Sequence, residues 1–174
     1  MEEIRIAVIG LGYVGLPLAR LFATKYPVIG FDIDKERIRE INSGIDSTLE
    51  VTAEQLHSVL KADADLTSGL FCTSDEKALN ACNYYIVTVP TPVDKNNRPD
   101  LTPLLNASET VGKRINPNDI VIYESTVSPG ITEDVCLPII EKHSGLTFNK
   151  DFFAGYSPER VNPGDKNHAR SDTY

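Results

Sequence analysis

The stretch Ile4-Arg5-Ile6-Ala7-Val8-Ile9-Gly10-Leu11-Gly12-Tyr13-Val14-Gly15 decides how the rest of the chain is read. An apolar run rich in β-branched residues that closes on glycines at relative positions one, three and six reads as a strand feeding a phosphate-binding turn. Gly10 takes the tight turn, Gly12 lets the backbone come close to a pyrophosphate, and Gly15 lets the following helix pack on the strand. The free N–H groups at that helix's N-terminus, together with its dipole, favour an anion.

Glycine-rich turns also serve as plain strand-to-helix connections, so the context decides. Val14, Leu18, Leu21 and Phe22 follow at helical spacing, and Pro17 sits where a first helical turn tolerates it. A second strand, Val28 to Phe31, ends in Asp32, 17 residues after Gly15. That is close to the roughly 20-residue spacing of a carboxylate that holds an adenosine ribose. A dinucleotide site follows. Asp32 would accept ribose hydroxyls but meet a 2′-phosphate as a like charge, so NAD is expected over NADP, although Lys35 and Arg37 stand nearby as bases.

The chain has 174 residues, 41% of them hydrophobic, which suits one globular domain with a real core. Its 25 acidic and 17 basic residues give a net charge of −8, which disfavours nucleic acid or an anionic membrane as partner. No apolar stretch reaches the ~18 residues of a spanning helix, and Met1-Glu2-Glu3 is acidic where a signal peptide is basic, so a cytoplasmic location is expected. Cys72, Cys82 and Cys136 lack metal-ligand spacing; free buried thiols and no metal site are expected.

Strand and helix alternate along the chain, which predicts a Rossmann-type α/β fold: a doubly wound parallel sheet of about six strands with helices on both faces. Asp34 caps a predicted helix from about Lys35 to Ser43 that stops at Gly44, and Thr52-Ala53-Glu54-Gln55 is a capping box opening the next. Leu70–Thr73 is a short strand. Ser74 is expected to cap a helix ending near Cys82, and Tyr84 to Val89 reads as a doubly buried strand. After a polar loop over Asp94 to Asp100, a helix begins at Thr102-Pro103. Asp119 to Tyr123 is a fifth strand. A helix containing Val135, Leu137, Ile139 and Ile140 follows, kinked by Pro138, before a sixth strand from Phe152 to Gly155.

Ligands of open α/β sheets bind beyond the carboxyl ends of the strands, where the strand order reverses. The glycine turn, Asp32, Pro90-Thr91-Pro92, Ser125-Thr126 and Ser157-Pro158-Glu159-Arg160 all fall at such ends. Any one of Thr91, Ser125 and Thr126 could simply cap a turn, but their convergence on one edge points to a ligand.

Four segments carry a family resemblance: Gly-Leu-Gly-Tyr-Val-Gly-Leu-Pro (10–17), Val-Pro-Thr-Pro (89–92), Glu-Ser-Thr-Val (124–127) and Tyr-Ser-Pro-Glu-Arg-Val-Asn-Pro-Gly-Asp (156–165). Together they resemble the UDP-glucose/GDP-mannose dehydrogenase family over nearly the whole chain. Ser-Pro-Glu-Arg followed by Asn-Pro-Gly is most similar to the branch acting on UDP-N-acetylhexosamines for surface polysaccharides. The resemblance implies that Tyr13 and Val14 touch the pyrophosphate through their backbone, and that Asp32 and Arg37 serve the adenosine ribose. It also implies that Pro90 contacts the cofactor, that Thr91 and Thr126 line the nicotinamide half, that Glu159 sits near the reacting carbon, and that Arg160 and Val161 contact the sugar nucleotide. Two of these have plain alternatives: Arg37 could pair with Asp34 at i+3, and Glu159 with Arg160.

The reaction implied is a four-electron oxidation of a sugar C6 alcohol, with two NAD in succession and a cysteine-bound thioester. Glu159 would then accept a proton from the water that attacks the thioester, with Thr126 beside it. None of the three cysteines matches the family's nucleophile motif. By this resemblance residues 1–174 are the NAD-binding portion of a longer homodimeric enzyme, with the nucleophile, the dimerising helix and a second domain beyond Tyr174, and the portion alone is inactive. A UDP-glucose or GDP-mannose enzyme, or a stand-alone NAD-binding module, is the alternative.

Overall fold

A computed structural model describes residues 3–63, 67–93, 98–125 and 127–157. Strands β1 (Ile6–Ile9), β2 (Pro27–Phe31), β3 (Gly69–Thr73), β4 (Tyr84–Val87), β5 (Ile120–Tyr123) and β6 (Phe153–Tyr156) form one parallel sheet in the order β3-β2-β1-β4-β5-β6. The order runs one way to β3 and the other way to β6, so it reverses between β1 and β4. That reversal opens a crevice at the carboxyl ends of these two strands.

Alternation along β1 explains the layering, because successive side chains of a strand point to opposite faces. Ile6 and Val8 join one core with Leu16, Leu18, Ile38, Ile41, Leu56 and Val59, contributed by α1 (Gly15–Ala23), α2 (Lys35–Asn42) and α3 (Ala53–Val59). Ala7 and Ile9 join the other with Leu104, Val111, Leu137 and Ile140, from α4 (Thr102–Gly112) and α5 (Leu137–Ser144). The sheet is therefore covered on both faces, as its nearly uninterrupted apolar strands require.

The helix starts follow local chemistry. The Asp34 carboxylate accepts the N–H groups of Glu36 at 2.8 Å and Arg37 at 3.3 Å, and Thr52 and Gln55 form the reciprocal capping box. Three expectations need correction. Asp75, not Ser74, caps the segment before β4, and that segment is a 3-10 helix, Glu76–Ala81, in which Asp75 accepts the Lys77 N–H at 3.0 Å. β4 ends at Val87 rather than Val89, because Thr88 and Val89 turn to pack on the Gly10 corner. Around Pro138 the chain makes a wide turn of π-helix, Thr132–Cys136, where the Leu137 N–H reaches five residues back to the Thr132 carbonyl. A proline lacks the N–H that an α-helix would use and crowds the carbonyl four residues before it, so the wider turn just ahead relieves the conflict.

Candidate functional site

The corner between β1 and α1 is held rigidly yet leaves an open face. Gly10 has φ +95°, and a Cβ built there would stand 3.0 Å from the Val89 nitrogen. Its N–H donates to the Phe31 carbonyl at 2.8 Å, and the Thr88 hydroxyl reaches its carbonyl at 2.7 Å. A Cβ on Gly15 would overlap the Gly10 carbonyl oxygen and lie 2.5 Å from Thr88 Oγ1, so helix and strand touch here through bare backbone. At Gly12 the surroundings are the opposite: a Cβ would meet nothing within 4 Å. Among the described residues the N–H groups of Gly12 and Tyr13 donate to no acceptor, and α1 begins with neither a side-chain cap nor an acidic residue in its first turn. Open space, unpaired donors and a helix N-terminus together fit a pyrophosphate.

Asp32 follows the last residue of β2 and fixes this corner while facing it. Its Oδ2 accepts the Leu11 N–H at 2.8 Å and its Oδ1 the Asp34 N–H at 2.9 Å. A carboxylate has about four acceptor sites, so two remain for ribose hydroxyls. Arg37 is buried, and its side chain does not form the i+3 pair with Asp34. Instead Nη2 donates to Asp46 Oδ1 at 2.7 Å and Nε to the Leu11 carbonyl at 2.9 Å. Burial alone would raise the Asp46 pKa, but hydrogen bonds from Thr48, Arg37 and the Val51 amide outweigh it and hold the carboxyl below its usual range.

The second half of the edge is built from β4 and β5. The Glu124 N–H donates to the Val87 carbonyl at 2.9 Å, and the buried Ser125 hydroxyl donates to the Val89 carbonyl at 2.7 Å. These bonds hold the start of Glu-Ser-Thr-Val against the segment that leads into exposed Pro90 and half-buried Thr91. The Ser157 N–H donates to the Tyr123 carbonyl at 2.9 Å, so the chain leaves β6 at this same edge. Thr126, Glu159, Arg160 and Val161 lie outside the described residues. Gly10, Gly12, Tyr13, Val14, Gly15, Asp32, Pro90 and Thr91 are brought to the carboxyl ends of β1, β2 and β4. Sequence reading missed Thr88 and Asp46. A lone threonine inside Tyr-Tyr-Ile-Val-Thr-Val was the available signal for the first; nothing marked the second.

The three thiols are buried, and burial pushes Cys72 and Cys82 up to about 12 and raises Cys136. Cys72 lies on edge strand β3, with its sulfur packed toward Gly30. Among the described residues no helix is long and apolar enough to cross a membrane.

The family model for the NAD binding domain of the UDP-glucose/GDP-mannose dehydrogenase family matches residues 4–172. The chain belongs to this family. The chain is 57% identical over 168 residues to a UDP-N-acetyl-D-glucosamine 6-dehydrogenase of Pseudomonas aeruginosa, a match covering 97% of this chain and 38% of the relative. A protein of the same name from Salmonella typhi is 53% identical, with the same two coverages, 97% and 38%. A solved ternary complex of GDP-mannose dehydrogenase from Pseudomonas aeruginosa superposes with TM-score 0.81 at 31% identity, covering 92% of this chain and 37% of that one. The chain thus spans a little over a third of the length of these relatives, over their NAD-binding region. The chain is an NAD-binding domain of Rossmann type.

Proposed function

We propose that residues 1–174 form the NAD-binding domain of a longer, homodimeric, cytoplasmic UDP-N-acetylhexosamine 6-dehydrogenase, which oxidises the sugar C6 alcohol to a carboxylate. The observation that carries the cofactor half is the pair of unpaired amides at Gly12 and Tyr13, beside open space and within the corner that Asp32 fixes. The sugar half is supported by the names of the most similar relatives and by the Ser-Pro-Glu-Arg and Asn-Pro-Gly segments of this sequence.

When bound, NAD accepts a hydride from the sugar carbon. The chain's own residues bind and orient. The Gly12, Tyr13 and Val14 backbone holds the pyrophosphate, Asp32 orients the adenosine ribose, and Pro90, Thr91 and Thr126 line the nicotinamide end. Arg160 and Val161 contact the sugar nucleotide. Glu159 takes the proton of the water that releases the product from its enzyme thioester, with Thr126 holding that water. The buried, proton-retaining thiols of Cys72, Cys82 and Cys136 do not suit a nucleophile, so the thiolate is assigned outside this domain.

The test is to express the reading frame that encodes this chain to its own stop codon and follow NADH formation on a panel of sugar nucleotides. UDP-N-acetylglucosamine and its epimers are expected to outrun UDP-glucose and GDP-mannose, and Glu159→Gln to accumulate a covalent sugar adduct visible by intact-protein mass spectrometry. A preference for UDP-glucose or GDP-mannose would overturn the substrate branch. Unchanged turnover in Glu159→Gln would remove the role of that residue.

A further inference from the structure

The peptide unit that joins Gly10 to Leu11 opens the glycine turn, and it is gripped at both ends from different strands. Its carbonyl oxygen accepts the Thr88 hydroxyl at 2.7 Å, and its N–H, that of Leu11, donates to Asp32 Oδ2 at 2.8 Å. A trans peptide is planar, with its C=O and N–H pointing in opposite directions. The two partners match that geometry, because Thr88 follows β4 and Asp32 follows β2, and these strands pair with β1 on its two sides. Holding both ends sets ψ of Gly10 and φ of Leu11, and with them the direction in which the chain leaves β1 toward Gly12 and Tyr13.

Thr88 is only 6% exposed and follows an apolar run, where a hydroxyl costs desolvation unless it is bonded. The bonds it makes are to the corner: its N–H donates to the Ile9 carbonyl at 2.9 Å, and its hydroxyl lies 3.1 Å from that carbonyl as well as 2.7 Å from that of Gly10. The hydroxyl also occupies the notch that Gly15 leaves open, since a Cβ there would stand 2.5 Å from Thr88 Oγ1. Val89 continues the contact, its nitrogen 3.0 Å from a Cβ built on Gly10.

Resting on the NAD site proposed above, we infer that Thr88 is a positioning residue for the cofactor. By clamping the Gly10–Leu11 peptide against Asp32 it presets the turn, so that the Gly12 and Tyr13 amides face the pyrophosphate before NAD arrives. The turn then need not be ordered at the moment of binding, which is how preorganisation adds affinity. Thr88 acts through the backbone it holds and touches no part of the cofactor.

Calorimetric Kd values for NAD and ADP-ribose in the wild type, Thr88→Val and Thr88→Ser test this, at a temperature where thermal unfolding shows each protein folded. Thr88→Val keeps the shape and removes the donor. Both ligands share the pyrophosphate, so both should weaken by the same factor, about three- to tenfold for one neutral hydrogen bond. Thr88→Ser keeps the donor and should bind both as the wild type does. A role in stability alone would leave the Kd of the folded protein unchanged. Wild-type affinity in folded Thr88→Val, a loss confined to NAD, or a Thr88→Ser as weak as Thr88→Val would therefore overturn the inference. Should Thr88→Val not fold, Thr88→Cys, similar in size with only a weak S–H donor, replaces it under the same expectation. The wild type gives a second reading by NMR: the Leu11 amide, already clamped, should move less on saturation with NAD than those of Gly12 and Tyr13. A Leu11 change as large as theirs would show that the cofactor sets the turn, and would overturn the inference. Absence of NAD binding to the wild type would instead undo the cofactor site itself.

Discussion

Gly12→Ala separates binding from folding. The added methyl meets no protein atom within 4 Å, and Gly12 is not among the glycines with positive φ. Replacing such a glycine removes freedom from the unfolded chain, so stability should hold or rise by up to ~1 kcal/mol. For a domain of this size that is a Tm rise of about 2–4 °C at most. The methyl occupies the approach of the pyrophosphate, and the Gly12 and Tyr13 amides then lose an acceptor worth about 1.5–3 kcal/mol per charged hydrogen bond. NAD affinity should fall at least about tenfold. Gly15→Ala is the control, because its methyl would overlap the Gly10 carbonyl and crowd Thr88 at 2.5 Å, with an overpacking cost of ~1–3 kcal/mol. Thermal unfolding and calorimetry read both effects. Wild-type NAD affinity in Gly12→Ala, or a stability loss matching Gly15→Ala, would refute the reasoning.

Three further outcomes follow from the same structure. Cys72 and Cys82 should resist a thiol reagent at pH 8 in the native state and react once guanidinium unfolds the chain; rapid native labelling would contradict their burial. Because the Asp46 carboxyl is held below its unfolded value, its stabilisation is present above about pH 4 and is lost as pH falls through the lowered folded value. Urea midpoints should therefore drop with acid more steeply in the wild type than in Asp46→Asn, and parallel slopes would remove Asp46 from that effect. The chain incubated with NAD and UDP-N-acetylglucosamine should show no sustained NADH formation, since its buried, protonated thiols cannot trap the aldehyde for the second oxidation; sustained NADH formation would make Cys72 the first residue to mutate.

Local chemistry was legible in the sequence, and distant partners were not. Asp34, Thr52 with Gln55 and the strand alternation act within a few residues, so their signals survive in the linear order. The 3-10 helix after β3 was misread because Ser74 and Asp75 are both good caps, and only the fold decides between them. Arg37 shows the limit most clearly. Its i+3 neighbour Asp34 turns its carboxylate to the helix N-terminus, which leaves the guanidinium to Asp46 across a loop and to a backbone carbonyl 26 residues away. Thr88 was hidden likewise, since its hydroxyl serves the carbonyls of Ile9 and Gly10 from a neighbouring strand.

The central claim is that the Gly10–Gly15 corner binds the pyrophosphate of NAD, and amide NMR of the nitrogen-15-labelled chain during an NAD titration tests it most directly. The Gly12 and Tyr13 amides, which donate to no acceptor among the described residues, should show saturable changes larger than those of the already bonded Gly10 and Leu11 amides. Saturation that leaves Gly12 and Tyr13 unmoved, or moves amides away from this edge of the sheet instead, would contradict the account.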